Sequence, residues 1–178
     1  MKTVFRIFGI IAVLISLAMC AMSVYRTGED KKDLKENETQ IVNAKAQLET
    51  LKEQTKIMTG ESKVQMDAQV AAAQKQIDTM PSQTTYTIVQ GLLSAMLLLA
   101  LIFAVFLFRP NLKLTGQLLG AAVLLLLLAY FLSPDIKRGE YSGMASRTLA
   151  LVSGIPVIIS GLFAYGVAKK NTPKVAMA

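Results

Sequence analysis

Residues 87–108 form a run of 22 positions without a charge, which ends at Arg109, Pro110 and Asn111. A helix of this length, rising about 1.5 Å per residue, covers roughly 30 Å and so matches the hydrocarbon core of a bilayer. Within lipid, a single segment satisfies its own backbone hydrogen bonds only as a helix. This run therefore predicts a transmembrane helix, and the rest of the chain must fold around it.

Three further runs have the same character. Residues 7–25 are 19 uncharged positions, and residues 114–134 and 148–168 are 21 each. Hydrophobic residues make up 53% of the chain, which is high for a water-soluble domain. The sequence thus predicts an all-α integral membrane protein with four transmembrane helices, at residues 4–25, 87–108, 114–134 and 148–168.

The basic residues are distributed unevenly along the chain. Residues 26–86 contain nine basic and ten acidic residues, and residues 133–147 contain three and two. The net charge of +7 therefore resides in seven cations that have no acid among them: Lys2, Arg6, Arg109, Lys113, Lys169, Lys170 and Lys174. Cations that are spread in this way over helix ends, rather than gathered on one soluble surface, do not predict binding to nucleic acid.

These seven cations predict the orientation in the membrane. With four spans they all fall on one side, and short loops rich in Lys and Arg face the cytoplasm. We expect both termini to be cytoplasmic, including a basic tail at residues 169–178. Residues 26–86 should then face the periplasm or the cell exterior, and a bacterial inner membrane is the expected location.

The polar segment between the first two spans has regularly spaced apolar residues. Leu34, Ile41 and Leu48 are seven residues apart, and this heptad spacing is typical of coiled coils. It predicts an extracytoplasmic antiparallel helical hairpin with arms at 29–58 and 62–80, capped near Thr27 and Ser62 and turning at Gly60. The expected seam consists of Leu34, Ile41, Ala44, Leu48, Leu51, Met58, Met66, Val70, Ala73 and Ile77.

Two interpretations of this seam stay open. The two arms could bury it against each other, which would make a self-contained stalk. Alternatively, a helix from another membrane subunit or from a second copy of the chain could complete it. The seam is thin, because it includes alanine, so the pattern alone does not decide between them.

Small residues in the spans recur at intervals of four. This spacing lets helix backbones approach each other closely. It predicts helix–helix packing at Gly91, Ala95, Gly116, Gly120, Ala150 and Gly154. Pro156, which removes one backbone hydrogen bond, should bend the fourth span.

The sequence offers little for catalysis. Histidine is absent and Cys20 is the single cysteine, which argues against most zinc, haem and thiol chemistry. The spans contain no ionisable residue at mid-depth, where membrane proteins usually place functional charges. Gln90 and Gln117 are candidates for a polar pocket that could hold a lipid, a quinone or a polar substrate. No catalytic residue, metal site or cofactor is expected.

These observations predict a non-catalytic membrane subunit. It would anchor or scaffold a larger membrane assembly, with the lipid bilayer and other subunits, or copies of itself, as partners. One alternative is a small channel or carrier that uses the neutral polar residues of the spans. Another is a ligand sensor or regulator whose hairpin responds to a ligand.

Overall fold

A computed structural model describes residues 2–78, 81–134 and 146–171 of the chain. These residues form six α-helices and no strand. The helices are α1 (Lys2–Glu36), α2 (Glu38–Ile57), α3 (Glu61–Asp78), α4 (Gln83–Phe108), α5 (Leu112–Leu132) and α6 (Ser146–Asn171). Four of them, α1, α4, α5 and α6, are long and apolar enough to cross a membrane. The prediction of an all-helical chain with four apolar helices of spanning length is confirmed.

The chain forms two compact units. The apolar unit consists of Met1–Glu29 and Thr84–Ala178, and it includes most of α1 together with α4, α5 and α6. The polar unit is Asp30–Gln83 and contains the end of α1 with α2 and α3. This division follows the change in composition along the sequence, because the nineteen charges of residues 26–86 fall almost entirely in the polar unit.

The first helix continues past the position where the sequence predicts a new helix start. A cap was expected at Thr27, but α1 runs without interruption to Glu36. The Thr27 hydroxyl instead donates a hydrogen bond of 2.8 Å to the Ser23 carbonyl within the same helix. Thr27 is fully buried, so its side chain faces other helices and is not available as a cap.

The boundary between α1 and α2 lies at Asn37. Backbone hydrogen bonds still bridge this residue, from the Asn37 N–H to the Asp33 carbonyl at 3.0 Å and from the Ile41 N–H to the Asn37 carbonyl at 3.1 Å. The Asn37 side chain also donates to the Asp33 carbonyl, at 2.8 Å. This competition for one carbonyl is the physical reason for a local irregularity between two otherwise regular helices.

The helices of the apolar unit pack tightly around α4. Eight residues of α4 are buried, and Leu93, Met96, Ala100 and Phe103 have no exposed surface. The neighbouring helices approach closely where α6 has a glycine. A Cβ added at Gly161 would stand 2.8 Å from both Phe103 of α4 and Leu119 of α5. The absence of a side chain at this position is what allows the three helices to meet.

Successive helices of the apolar unit run in opposite directions. At one end, the position of Gly9 on α1 is in contact with Leu107 of α4 and Phe163 of α6. At the other end, the Ser23 hydroxyl of α1 donates to the Leu149 carbonyl of α6, at 3.3 Å. The beginning of α1, the end of α4 and the end of α6 therefore lie together.

A short connection joins α4 to α5 at the first of these ends. The ring of Pro110 cannot continue the helix, and the Asn111 side chain caps α5 by accepting a hydrogen bond of 3.1 Å from the Leu114 N–H. Since the connection between the two helices contains only Arg109, Pro110 and Asn111, α5 must turn back alongside α4.

In the polar unit, α2 and α3 contact each other after a turn at residues 58–60. Gly60 has a φ of +74°, a backbone conformation that L residues with a side chain rarely adopt. The Lys63 N–H bonds to the Gly60 carbonyl at 3.2 Å and starts α3. The predicted second arm extended to Met80, which lies outside the described residues.

Candidate functional site

The ten predicted seam residues share one property in the structure, since none of them is exposed. Leu34 and Leu48 are buried, with 7% and 4% of their surface accessible. The other eight are half-buried: Ile41, Ala44, Leu51, Met58, Met66, Val70, Ala73 and Ile77. The seam therefore marks one continuous face of the polar unit, and that face is incompletely covered.

Surface grooves show which parts of α2 and α3 lie side by side. Ile77 of α3 lines one groove with Ile41 and another with Leu48. Val70, two turns earlier in α3, lines a groove with Thr55 near the end of α2. The two helices thus meet along their length, with the late part of one beside the early part of the other.

Sequence reasoning missed Thr55 as a member of this face. It is 5% exposed, and it lies seven residues after Leu48, so it continues the row of Leu34, Ile41 and Leu48. The Thr55 hydroxyl donates to the Leu51 carbonyl at 2.7 Å, which satisfies its polar group within the helix. Its heptad position was the signal that could have identified it, despite its polarity.

The edge of α2 beside the seam, next to the grooves between α2 and α3, is charged. Lys52 and Glu49 form an ion pair at 3.0 Å, and Lys56 and Glu53 form one at 2.6 Å. The hydrogen bond that Lys56 donates to Glu53, together with the negative charge of Glu53, raises the pKa of Lys56. Exposed pairs of this kind contribute little stability, so they act mainly to keep this side of the helix in water.

The small residues predicted to pack in the spans fall into two groups. Ala150 is fully buried, and Gly154 lies against the Leu126 side chain, with a Cβ position 3.2 Å from the Leu126 Cβ. A Cβ placed at Gly116 would lie 3.5 Å from the Tyr165 ring. Ala95 is half-buried. By contrast, Gly91 and Gly120 are exposed, with no described atom within 4 Å of a Cβ placed there.

Sequence reasoning also missed a line of small polar residues between α1 and α6. Ser16, Cys20, Ser23 and Thr27 are each fully buried, and they repeat every three or four residues along one face of α1. The Cys20 thiol lies 3.8 Å from the Ser153 carbonyl of α6, and the Ser23 hydroxyl also reaches α6. The 3.6-residue spacing of these positions was the available signal.

The structure does not bring Gln90 and Gln117 together. Gln90 is half-buried beside Gly28 of α1, at the beginning of α4. Gln117 is exposed, near the beginning of α5. Since α4 and α5 run in opposite directions, the two glutamines lie toward opposite ends of the apolar unit. A pocket shared by both side chains is therefore not formed among the described residues.

No family model, curated protein or solved structure matches this chain. Its function has to be inferred from its own surfaces. Two of them stand out: the half-covered seam of the polar unit and the apolar exterior of the four long helices.

Proposed function

We propose that this chain is a non-catalytic membrane subunit that anchors or scaffolds a larger assembly. In this proposal α1, α4, α5 and α6 are inserted in a bacterial inner membrane. The helices α2 and α3 form an antiparallel hairpin in the periplasm or outside the cell, where it binds a partner. The observation that carries the proposal is the half-covered seam.

The exterior of the apolar unit supports insertion in a bilayer. Leu98, Leu124, Phe131 and Leu162 are all more than half exposed, at 59%, 63%, 72% and 52%. Large apolar side chains at this density around a helical bundle are unfavourable in water and favourable in lipid. The interior of the unit is already filled by side chains of the chain itself, so the exterior is the surface left for the acyl chains.

The seam supports a partner for the polar unit. Eight of its ten predicted members remain half-buried after α2 and α3 have packed together. Two helices alone cannot enclose an apolar face, whereas a third or fourth helix would cover it as in a coiled coil or bundle. Each half-buried Leu, Ile, Val or Met that becomes fully covered would contribute up to about 1 kcal/mol to association.

The buried polar groups of the apolar unit support a structural role for its interior. The Ser16, Ser153 and Ser160 hydroxyls each donate to a carbonyl of their own helix, at 2.7 to 2.8 Å. A hydroxyl bonded in this way contributes to packing and does not need a substrate. The hydrogen bonds of these three hydroxyls are therefore explained within their own helices.

The orientation is also part of the proposal. The first turns of α1, the last turn of α6 and the connection between α4 and α5 lie at one end of the apolar unit. All seven unbalanced cations belong to these segments, to the first turn of α5 or to the sequence directly after α6. Cations on one side of a membrane favour a cytoplasmic location for that side, which supports the proposal that both termini face the cytoplasm.

The seam can be tested with a matched pair of double variants. Leu51→Gln with Val70→Gln puts two amides on the seam, whereas Ala46→Gln with Ala71→Gln puts the same side chains at exposed positions of the same helices. The full-length protein is purified from its native membrane in mild detergent, and the mass of the complex and its bound chains are measured. Helicity from circular dichroism checks that each variant folds.

We expect the wild-type chain and the Ala46→Gln, Ala71→Gln variant to elute with a stoichiometric partner or as a defined oligomer. The seam variant should lose at least tenfold in association, because two apolar side chains are replaced by amides in a buried contact. A wild-type chain that elutes as a lone monomer would refute the proposal. Equal losses in both double variants would refute the seam as the binding surface.

A further inference from the structure

The ends of four helices meet at the termini side of the apolar unit. There, the first turns of α1 pack on the last turns of α6, with a Cβ position at Gly166 only 2.8 Å from the Phe5 ring. The beginning of α5 lies close by, since Gly116 is beside Tyr165 of α6. We name this region the basic end and define it by its described cations: Arg6, Arg109, Lys113, Lys169 and Lys170.

No acidic residue lies near the basic end in the helices that form it. The sequence contains no Asp or Glu at residues 1–28, 84–134 or 146–178. The nearest acid along α1 is Glu29, which follows Arg6 by 23 residues and so lies about 35 Å further along the helix. Four of the five cations are exposed, and Arg6 is half-buried. This concentration of one charge sign creates a strong positive potential that attracts anions.

Arg6 differs from the other cations of the basic end because part of its guanidinium is buried without a partner in the described part of the chain. Its Nε is buried and has no hydrogen-bond acceptor among the described residues. A guanidinium stays charged at all physiological pH values, and a buried donor on a charged group is unfavourable without an acceptor. Phosphate oxygens fit this need, because the planar guanidinium presents N–H groups that match them in pairs.

Lys170 is a second cation of the basic end, and it contacts the residue that precedes Arg6. Its Nζ lies 4.0 Å from the centre of the Phe5 ring, and Phe5 directly precedes Arg6. The ring face supplies partial negative charge and holds the ammonium group against the first turns of α1. The basic end therefore has an ammonium group on α6 that is held in place against α1.

The apolar surroundings of Arg6 identify the source of the anion. Val4, Ile7 and Phe8 flank it on α1 and are 51%, 53% and 55% exposed. A free phosphate ion would gain nothing from these side chains, whereas the acyl chains of a lipid would cover them. In a phospholipid a charged headgroup is joined to apolar tails. The cations of the basic end and the neighbouring apolar side chains could contact these two parts of one lipid.

We propose that the basic end binds the phosphate group of an anionic phospholipid, with Arg6 and Lys170 as the principal contacts. This inference rests on the proposed insertion of the apolar unit in a bilayer, but it does not depend on the partner of the polar unit. The site would hold an annular lipid in place at the cytoplasmic side and fix the depth of the four helices.

Native mass spectrometry tests the proposal on the full-length protein. The chain is released from mixed micelles that contain phosphatidylglycerol and phosphatidylcholine with the same acyl chains, and the retained lipids are counted. We expect the wild-type chain to retain phosphatidylglycerol preferentially. The variant Arg6→Gln should lower this preference about fivefold, the value that corresponds to about 1 kcal/mol for one cation at an anionic headgroup.

The matched control is Arg26→Gln, which removes the same charge from an exposed position on the same helix, 20 residues away. This variant should keep the wild-type preference. Monodisperse elution checks that Arg6→Gln folds. If it does not fold, Lys170→Gln, at an exposed position, is used for the same test. Equal retention of the two lipids by the wild-type chain, or equal losses in Arg6→Gln and Arg26→Gln, would overturn the proposal.

A competition experiment separates a lipid from a free ion. Inorganic phosphate in millimolar excess should leave phosphatidylglycerol bound, and full displacement by phosphate would overturn the lipid as the ligand. Flotation with phosphatidylcholine vesicles tests insertion separately. A chain that floats with these vesicles but shows no preference for phosphatidylglycerol refutes only the headgroup site. A chain that does not float refutes the membrane anchoring itself.

Discussion

The apolar unit and the polar unit differ in how completely they bury the apolar side chains of their cores. In the apolar unit, Leu93, Met96 and Phe103 are fully enclosed by other helices of the same chain. In the polar unit, the equivalent stripe reaches full burial only at Leu34 and Leu48 of the ten predicted positions. One unit completes its own core and turns an apolar exterior to its surroundings, whereas the other leaves its core open.

This difference shows where the chain requires something from outside itself. In the proposed function a bilayer supplies the missing contacts of the apolar unit, because lipid tails adapt to any apolar surface. In the same proposal the seam of the polar unit lies outside the bilayer, where a protein helix of matching spacing would cover the heptad stripe. The open core is therefore the more informative surface for function.

The largest predicted effect tests the closed interior of the apolar unit. Gly161→Leu should destabilise the protein by about 3 kcal/mol, because its side chain would collide with the buried Phe103 and with Leu119. Gly91→Leu is the matched control, since no described atom lies near a Cβ at that position. Unfolding by a denaturing detergent, followed by circular dichroism, measures both. If Gly91→Leu were as damaging as Gly161→Leu, the described helix packing would be wrong.

The second prediction compares closed and open positions within the polar unit. Leu48→Ala should cost about 2 to 3 kcal/mol in the isolated chain, because the residue is 4% exposed, whereas Leu51→Ala should cost about half as much. Hydrogen exchange of the α2 amides measures the local stability. Once the partner is bound, the two costs should become similar. A cost of Leu51→Ala that is unchanged by the partner would show that the seam stays open.

The third prediction concerns the polar contacts between α1 and α6. Ser23→Ala removes the hydroxyl that donates to the Leu149 carbonyl at 3.3 Å, and the expected loss is about 0.6 kcal/mol. Ser94→Ala is a control, because the Ser94 hydroxyl donates to the Gln90 carbonyl of its own helix. Both are measured by the same detergent unfolding. If Ser23→Ala lowered the free energy of unfolding by more than about 2 kcal/mol, the effect would exceed that of a single hydrogen bond between two helices and would contradict this interpretation.

The smallest effect is expected at the charged edge of α2. The ion pair with Glu53 raises the pKa of Lys56 above 10.5, so its contribution is present below pH 10.5 and disappears as the pH rises through the raised pKa. Since the ammonium group is fully exposed, Lys56→Gln should leave the thermal midpoint within about 1 °C of the wild type. Lys45→Gln on the same helix is the control. A shift of several degrees for Lys56→Gln alone would show that this edge is covered by a partner.

The sequence predicts the large features of this fold because each has a strong physical cause. A long run without charges cannot form anything other than a buried or lipid-facing helix of its length, and α4, α5 and α6 correspond to three such runs. The ten predicted seam positions are buried or half-buried, and residues spaced in this way share one face of a helix. That they form a packing seam stays a prediction.

The features that the sequence did not predict depend on contacts between distant segments. Thr27 has the residue type of a helix cap, yet the helices around it bury the side chain and α1 continues. Gly161 and Gly91 are indistinguishable in local sequence, and only the position of Phe103 makes one of them a close contact. Nor does any local pattern identify Arg6 as lacking an acceptor, since that depends on which groups surround it in the fold.

Accessibility of the seam in the native membrane tests the central claim most directly. In chains with Cys20→Ser, a single cysteine is introduced as Leu51→Cys on the seam or as Ala46→Cys on the exposed face, and intact cells are treated with a maleimide that does not cross membranes. The account predicts that Ala46→Cys is labelled in cells, while Leu51→Cys is protected in cells and becomes labelled after the protein is isolated in detergent. Labelling of Leu51→Cys in cells at the rate of the isolated chain would contradict the claim that a partner covers the seam.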